Sequence, residues 1–176
     1  MRVSAVIAEY NIFHNGHKFL AEKMHESSDA VIALMSGSFV QRGDAAIADK
    51  WQRAESALLN GVDLVIELPA VYAVNTAQRF AYGGVNIINS LGMVDELHFG
   101  SEVGNTDALL KAAQLLKNEP PEVSEKIKKY TSEGMNYPSA REKAYGGLID
   151  GGILSSPNNI LALEYIIALK QLKIGI

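Results

Sequence analysis

The sequence predicts an α/β fold in which a parallel sheet is followed by a helical segment, and three observations predict it. Apolar, β-branched runs alternate with helical-period segments from residue 3 to residue 102. The runs are nearly continuous in apolar character, as strands covered on both faces are, whereas half-exposed strands would alternate with polar residues. Beyond residue 105 only helical patterns remain. The expected division is therefore an α/β core over residues 1–104 and an appended helical segment over 105–176.

Each element has a local reason. "VSAVIA" (3–8) and "AVIALMS" (30–36) are buried strands, and "DLVIELP" (63–69) is a third, closed by Pro69. "DELHFGSE" (95–102) is the fourth, running into a glycine turn. Between them, "HKFLAEKMHES" (17–27) places Phe19, Leu20 and Met24 on one helical side. "IADKWQRAESALLNGV" (47–62) is helical with Gly61 as its stop, and "NTAQRFAYGGVNIINSLG" (75–92) opens with an Asn or Thr cap. Four helices follow in expectation: 105–118 capped at Asn105 or Thr106, 122–134 after Pro120-Pro121, 137–152, and 156–174. Pro157 suits the first turn of the last, where its missing N–H is no loss.

Composition narrows the function classes. The 176 residues are 48% hydrophobic and 20% charged, enough for a full core. There is no cysteine, which excludes disulfides, thiolate metal sites and a cysteine nucleophile, and fits a reducing, cytoplasmic setting. The first apolar run is too short for a signal-peptide core, and no apolar segment reaches the ~20 residues that span a bilayer. No membrane partner is expected. A formal net charge of -4 gives the chain no overall attraction for nucleic acid.

Chemistry concentrates at one strand exit, "AEYNIFHNGHKFLAEKM" (8–24). In parallel sheets, ligands bind outside the carboxyl ends of the strands. A helix opening there offers backbone N–H groups and the positive end of the helix dipole to an anion. Gly16 removes a Cβ where a phosphate would approach the backbone. His14 and His17, at i and i+3, flank that turn and can aim ring N–H donors at one anion. Two other readings of the pair stand beside this one: a capping and packing pair, or metal ligands completed by Glu9 or Asp44. Neither a G-x-G-x-x-G nor a Walker loop occurs.

The "HNGH" turn resembles the H-x-G-H signature of a nucleotidyltransferase superfamily. With "MSGSFVQRGDAAIADKWQRAE", "GVDLVIELP", "FGSE" and "SPNNILALEY", the whole chain resembles the bacterial tRNA(Met) cytidine acetate ligases. The resemblance implies a Rossmann-like parallel sheet of the H-x-G-H nucleotidyltransferase type. It implies a two-step reaction in which acetate attacks the α-phosphate of ATP, and the acetyl group then passes to N4 of the wobble cytidine of elongator tRNA(Met). ATP, acetate and that tRNA are the expected partners, with Mg²⁺ as the expected companion of ATP. The alternative within the superfamily is adenylylation of a small phosphorylated or carboxylated metabolite, and the alternative outside it is a nucleotide-binding fragment without activity.

Carried over position by position, the resemblance implies an ATP-binding segment from Ile7 to Leu20. It comprises Ile7, Ala8, Glu9, Tyr10, Asn11, Ile12 and Phe13, then His14, Asn15, Gly16, His17, Lys18, Phe19 and Leu20. His14 and His17 are its catalytic donors, and Gly100 and Asn158 complete the nucleotide contacts. Ile12 stands where the family usually has proline. The family also carries a nucleotide-binding arginine beyond the final helix, and this sequence stops at Ile176, so a catalytic fragment is the expectation.

The remaining polar residues divide more evenly. Ser36, Gly37, Ser38 and Arg42 form either an ordinary turn or part of the active site. Lys18 either reaches a phosphate or is solvated. Glu102 either contacts a ribose or caps a helix. His25 and His98 are expected to be structural, Arg53 a surface or ion-paired residue, "KIKK" (126–129) a solvated face, and Trp51 and Phe80 core residues.

Overall fold

A computed structural model of the chain describes residues 1–150 and 152–175. Gly151, in the expected helix 137–152, and Ile176, the end of the expected helical segment, lie outside the described residues. The elements in chain order are β1 (Val3–Ala8), α1 (Asn15–His25), β2 (Ala30–Ser36), α2 (Lys50–Leu58), β3 (Leu64–Leu68) and α3 (Ala70–Ala73). They continue with α4 (Ala77–Ser90), β4 (Glu96–His98), α5 (Thr106–Lys117), α6 (Pro121–Ser132), α7 (Tyr137–Tyr145) and α8 (Pro157–Leu172). Residues 1–99 with 168–176 form one compact unit and residues 100–167 a second.

The first unit is built on a four-stranded, all-parallel sheet of order β3-β2-β1-β4. The α/β fold class is thus as expected. Successive strands leave β1 in one direction and β4 returns on its other side, so the order reverses between β1 and β4. Ligand crevices form at such switch points. One sheet face packs Val6, Val31, Ala33 and Met35 against Met24 of α1 and Ala57 of α2. The other face meets α4, whose Gly84 approaches Ile7 so closely that a Cβ there would lie 2.7 Å from Ile7 Cδ1. Phe80, Val85 and Ile88 of α4 are buried, Phe80 as expected.

Most element limits follow local caps. α1 starts two residues before the expected position, because His14 itself is the N-cap. α2 starts at Lys50 because the Asp49 carboxylate accepts from the N–H groups of Trp51 and Gln52. The short α3 had no separate signal, lying within the turn after Pro69. β4 is only three residues long.

Two assignments are corrected. Arg53 is not a surface residue but 2% exposed. It donates from Nε to Ala48 O (3.1 Å), from Nη1 to Glu9 O, and from Nη2 to Ser36 O (3.1 Å) and Gly37 O. A buried guanidinium is tolerated because its donors meet backbone carbonyls left over where β1 and β2 end. Trp51 is not a core residue but 76% exposed, since it occupies the first turn of α2 on the side away from Arg53 and Ala57.

The second unit is helical. Asn105 caps α5 through Ala108 N (3.1 Å), Pro121 opens α6, and Asn136 caps α7 through Ser139 N (3.0 Å). α7 ends at Tyr145 with Gly146 as its C-cap, shorter than its expected span. Tyr145 Oη donates to Glu119 Oε2 (3.2 Å), and Lys143 Nζ sits 4.4 Å over the Tyr130 ring. Among the described residues no helix is long and apolar enough to cross a membrane.

Candidate functional site

The carboxyl end of β1 is shaped by three anchors. Glu9 gives its carbonyl to Arg53 and its Oε1 to the Gln41 N–H (2.6 Å), and Gln41 Nε2 reaches Asn75 O (2.6 Å). The exits of β1, β2 and β3 are thereby tied together. Tyr10 follows in the left-handed region, at φ 47°, a conformation that disfavours residues other than glycine. Its ring is buried in the sheet core, and burial pushes its hydroxyl up to about 12. Asn11 Oδ1 then accepts from Ile47 N (2.7 Å), and the Asn11–Ile12 peptide is cis.

This anchored turn delivers His14 to the N-cap of α1. The Gly16 N–H donates to His14 Nδ1 (3.1 Å), and the His14 N–H donates to His17 Nδ1 (3.3 Å). The two rings stack, with centroids 3.7 Å apart and planes 20° from parallel. Tyr10 meets the His17 ring edge-on at 4.9 Å, and Phe13 lies 5.4 Å from it. Burial, and secondarily the neighbouring His14, lower His17 to about 4. His17 is therefore a neutral imidazole at neutral pH.

The hydrogen bonds also fix its tautomer. A neutral ring whose Nδ1 accepts carries its proton on Nε2. Both histidines accept at Nδ1, so the neutral form of each presents an Nε2–H donor away from the helix. The capping and donor readings of this pair are thus compatible. One expectation changes: the Gly16 amide is engaged by a ring, as is that of His14, rather than left open for an anion. The pull of the helix end is instead relayed through the imidazoles, since hydrogen bonds in series polarise one another. The Asn15 N–H, also at the helix opening, has no such ring partner.

The other residues of the 7–20 segment sort by burial. Ile7 and Tyr10 are core and shape the turn from beneath. Ala8, Phe13 and Leu20 pack on the same apolar cluster as Tyr10. Ile12, His14, Asn15, Gly16, Lys18 and Phe19 are exposed, and Lys18 forms no ion pair among the described residues. Glu9 is committed to Gln41, and no group of three or more His, Cys, Asp or Glu assembles among the described residues. The metal reading of the histidine pair has no third ligand there.

In the second unit, Ser101, Glu102 and Val103 form one hydrogen-bonded cluster with Asn158 and Asn159. The buried Asn159 accepts at Oδ1 from Ser101 Oγ (2.8 Å), Glu102 N (3.0 Å) and Val103 N (3.3 Å). The Glu102 carboxylate accepts from Asn158 N (3.3 Å) and Asn159 N (3.0 Å), capping α8. Of the two readings of Glu102, capping is what this geometry shows. Asn159, missed by sequence reasoning, is the residue that holds the loop, while the neighbouring Asn158 is exposed. A Cβ on Gly100 would meet nothing within 4 Å.

His25 Nε2 lies 2.8 Å from Gly61 O, and His98 Nε2 lies 3.2 Å from Ser4 Oγ and 3.1 Å from Glu96 Oε2. Both serve the scaffold.

The family model described as HIGH Nucleotidyl Transferase matches residues 1–176, and the chain belongs to that family. Within it, the chain is 46% identical over 175 residues to a Clostridium tetani protein named tRNA(Met) cytidine acetate ligase, covering 94% of this chain and 43% of that protein. A Clostridium novyi protein of the same name is 46% identical over 180 residues, covering 98% and 45%. Among solved structures, Thermotoga maritima TmcAL bound with alpha-thio ATP superposes with a TM-score of 0.89 at 36% identity, covering 100% of this chain and 45% of that one. Its apo form I gives 0.90 at 36% identity, covering 100% and 44%. The chain thus spans less than half the length of these relatives.

Proposed function

We propose that this chain is the acetate-activating part of a tRNA(Met) cytidine acetate ligase. Acetate oxygen bonds to the α-phosphorus of ATP while the bond from that phosphorus to the bridging oxygen breaks and pyrophosphate leaves. The N4 amine of a cytidine then attacks the acetyl carbonyl, losing a proton as AMP departs. The observation that carries this reading is the pair of Nδ1 acceptor bonds: His14 and His17 both accept at Nδ1 at the β1 exit and so offer Nε2–H donors. Negative charge builds on the phosphates during the first step, and preorganised donors that need not reorient stabilise it most. Neither ring has to move a proton.

The names of the relatives and the alpha-thio ATP in the Thermotoga maritima structure support ATP and tRNA(Met) as substrates. Residues 7–20 are assigned to the triphosphate, with Gly100 and Asn158 as further nucleotide contacts. Gly100, which the protein itself does not need to be small, suits a ligand approaching the backbone. A Mg²⁺ ion accompanying ATP fits a site without a protein cage, because Mg²⁺ usually keeps waters and is held largely by substrate phosphates. It would offset phosphate charge, leaving orientation to the histidines.

Acetate-dependent exchange of labelled pyrophosphate into ATP tests this. Exchange that requires acetate and disappears in His17→Ala is the expected result. Exchange driven by another acid or phosphate and not by acetate would overturn the acetate reading.

A further inference from the structure

Outside the histidine turn, a cavity of about 240 Å³ opens on the α2 side of the sheet, lined by Met35, Lys50, Trp51, Ala54, Val65 and Glu67. Its floor is apolar and its rim is not. The Trp51 indole stands 76% exposed, with Lys50 Nζ 5.3 Å from its centroid. Lys50 Nζ also pairs with Glu67 Oε2 at 2.6 Å. The other oxygen, Oε1, accepts no hydrogen bond among the described residues; it fills the space that a Cβ of residue 37 would take, and the carboxylate also acts on the Arg53 charge.

The register locates this cavity. Met35 pairs with Ala8 on one side and Glu67 on the other. Glu67 is therefore two strands, about 10 Å, from the strand end that leads into the His14–His17 turn. Met35 shares the apolar cluster of Met24 on α1, so cavity and α1 lie on the same face.

We infer that this cavity is a base-binding subsite for an unpaired cytosine of a single-stranded RNA segment. The inference rests on the reading of the chain as part of an RNA-modifying enzyme and adds where RNA is gripped. An exposed indole is a stacking platform for any base. The polar rim adds selection. Cytosine carries an exocyclic amine beside a ring-nitrogen acceptor, which meets the free carboxylate oxygen and the Lys50 ammonium in the same order. Uracil puts a carbonyl where cytosine has its amine, so it would face Glu67 with like partial charge. An apolar peptide side chain would satisfy the floor but leave that donor–acceptor pair unused.

Trp51 is the chain's single tryptophan, so its fluorescence reports directly on the cavity. The experiment titrates the protein with single-stranded pentaribonucleotides that carry one central cytidine in uridine, or uridine throughout. Saturable quenching by the cytidine oligomer, about tenfold weaker with uridine, is expected. Glu67→Gln should abolish that preference while quenching persists. Trp51→Leu, read by anisotropy of a labelled oligomer, should weaken binding about 5- to 100-fold, the worth of one stacked base. Far-UV circular dichroism confirms that both variants fold. Absent or base-independent quenching, or a Glu67→Gln variant that keeps the preference, would overturn the subsite. So would a Trp51 already shielded from acrylamide in the free protein, because another polypeptide surface would then fill the cavity. The titration needs neither ATP nor acetate, so its failure leaves the pyrophosphate exchange result untouched, and the converse holds.

Discussion

His14 and His17 cap the same helix end with their rings stacked at 3.7 Å, one accepting the Gly16 N–H and the other accepting the N–H of its own partner. The cap uses one nitrogen of each ring and leaves the opposite one uncommitted to the turn. Nδ1 holds the turn, and Nε2 faces outward.

That separation is testable at His14. Asparagine is among the best N-cap residues, so His14→Asn keeps an acceptor for the helix while losing the outward ring donor and the stack on His17. Stability within about 0.5 kcal/mol of wild type is expected, with acetate-dependent exchange falling about 100-fold or more. His14→Ala should lose activity similarly and also about 1 kcal/mol of stability. Urea midpoints and exchange rates on the same samples check both.

His17 makes stability depend on acid. Its folded value is about 4, below the 6.5 of a free imidazole, so between those values the unfolded chain binds a proton that the folded chain refuses. Stability is whole above pH 6.5 and is lost as pH falls toward 4. Protonation would also remove the acceptor for the His14 N–H. Urea midpoints measured from pH 7 to pH 4 should fall more steeply in wild type than in His17→Asn, and parallel slopes would refute the assignment.

Arg53 should be the least replaceable charge in the first unit. Arg53→Ala orphans carbonyls of Glu9, Ser36, Gly37 and Ala48 at the carboxyl ends of β1 and β2 and before α2. Each buried unsatisfied group costs roughly 1–3 kcal/mol, so a loss of at least about 3 kcal/mol is expected. Arg53→Lys should recover only part of it, because an ammonium lacks the planar spread of donors. Denaturant unfolding ranks the three proteins.

Gly83 sets two effects against each other. Alanine is better in a helix by about 1 kcal/mol, but a Cβ at this buried position in α4 would run into the Tyr72 side chain. Overpacking of about 1–3 kcal/mol outweighs the propensity gain, and Gly83→Ala should lower the melting temperature. A rise would show that Tyr72 moves aside freely.

The limits of β1 and β2 were legible to the residue, because a strand covered on both faces writes itself as an unbroken apolar run. The histidine turn was legible too, since Gly16 and two imidazoles at a strand exit have few uses. What stayed hidden depended on direction. Arg53 carries the same letter whether it points into solvent or beneath two strand ends, and only the carbonyls of Glu9, Ser36 and Gly37 decide. Hydrophobicity points Trp51 inward, yet the Asp49 cap fixes the phase of α2 and turns the indole out. Asn158 and Asn159 are adjacent identical residues, and their contrast between exposed and buried arises from Ser101 and Glu102, more than fifty residues earlier.

The strand order also decides where the sheet is open to unwanted pairing. On one flank, β4 spans three residues and its approach is crowded by the Asp95 contact to Val3 N (2.8 Å) and the Arg2–Glu96 ion pair. That border is too short and too charged to template a foreign strand. The other flank, β3, is five residues long with Leu64 exposed, and Asp63 and Glu67 are the acidic gatekeepers at its ends. Neutralising those two carboxylates would strip the sheet of its protection there, so aggregation through concentrated stocks should begin at β3.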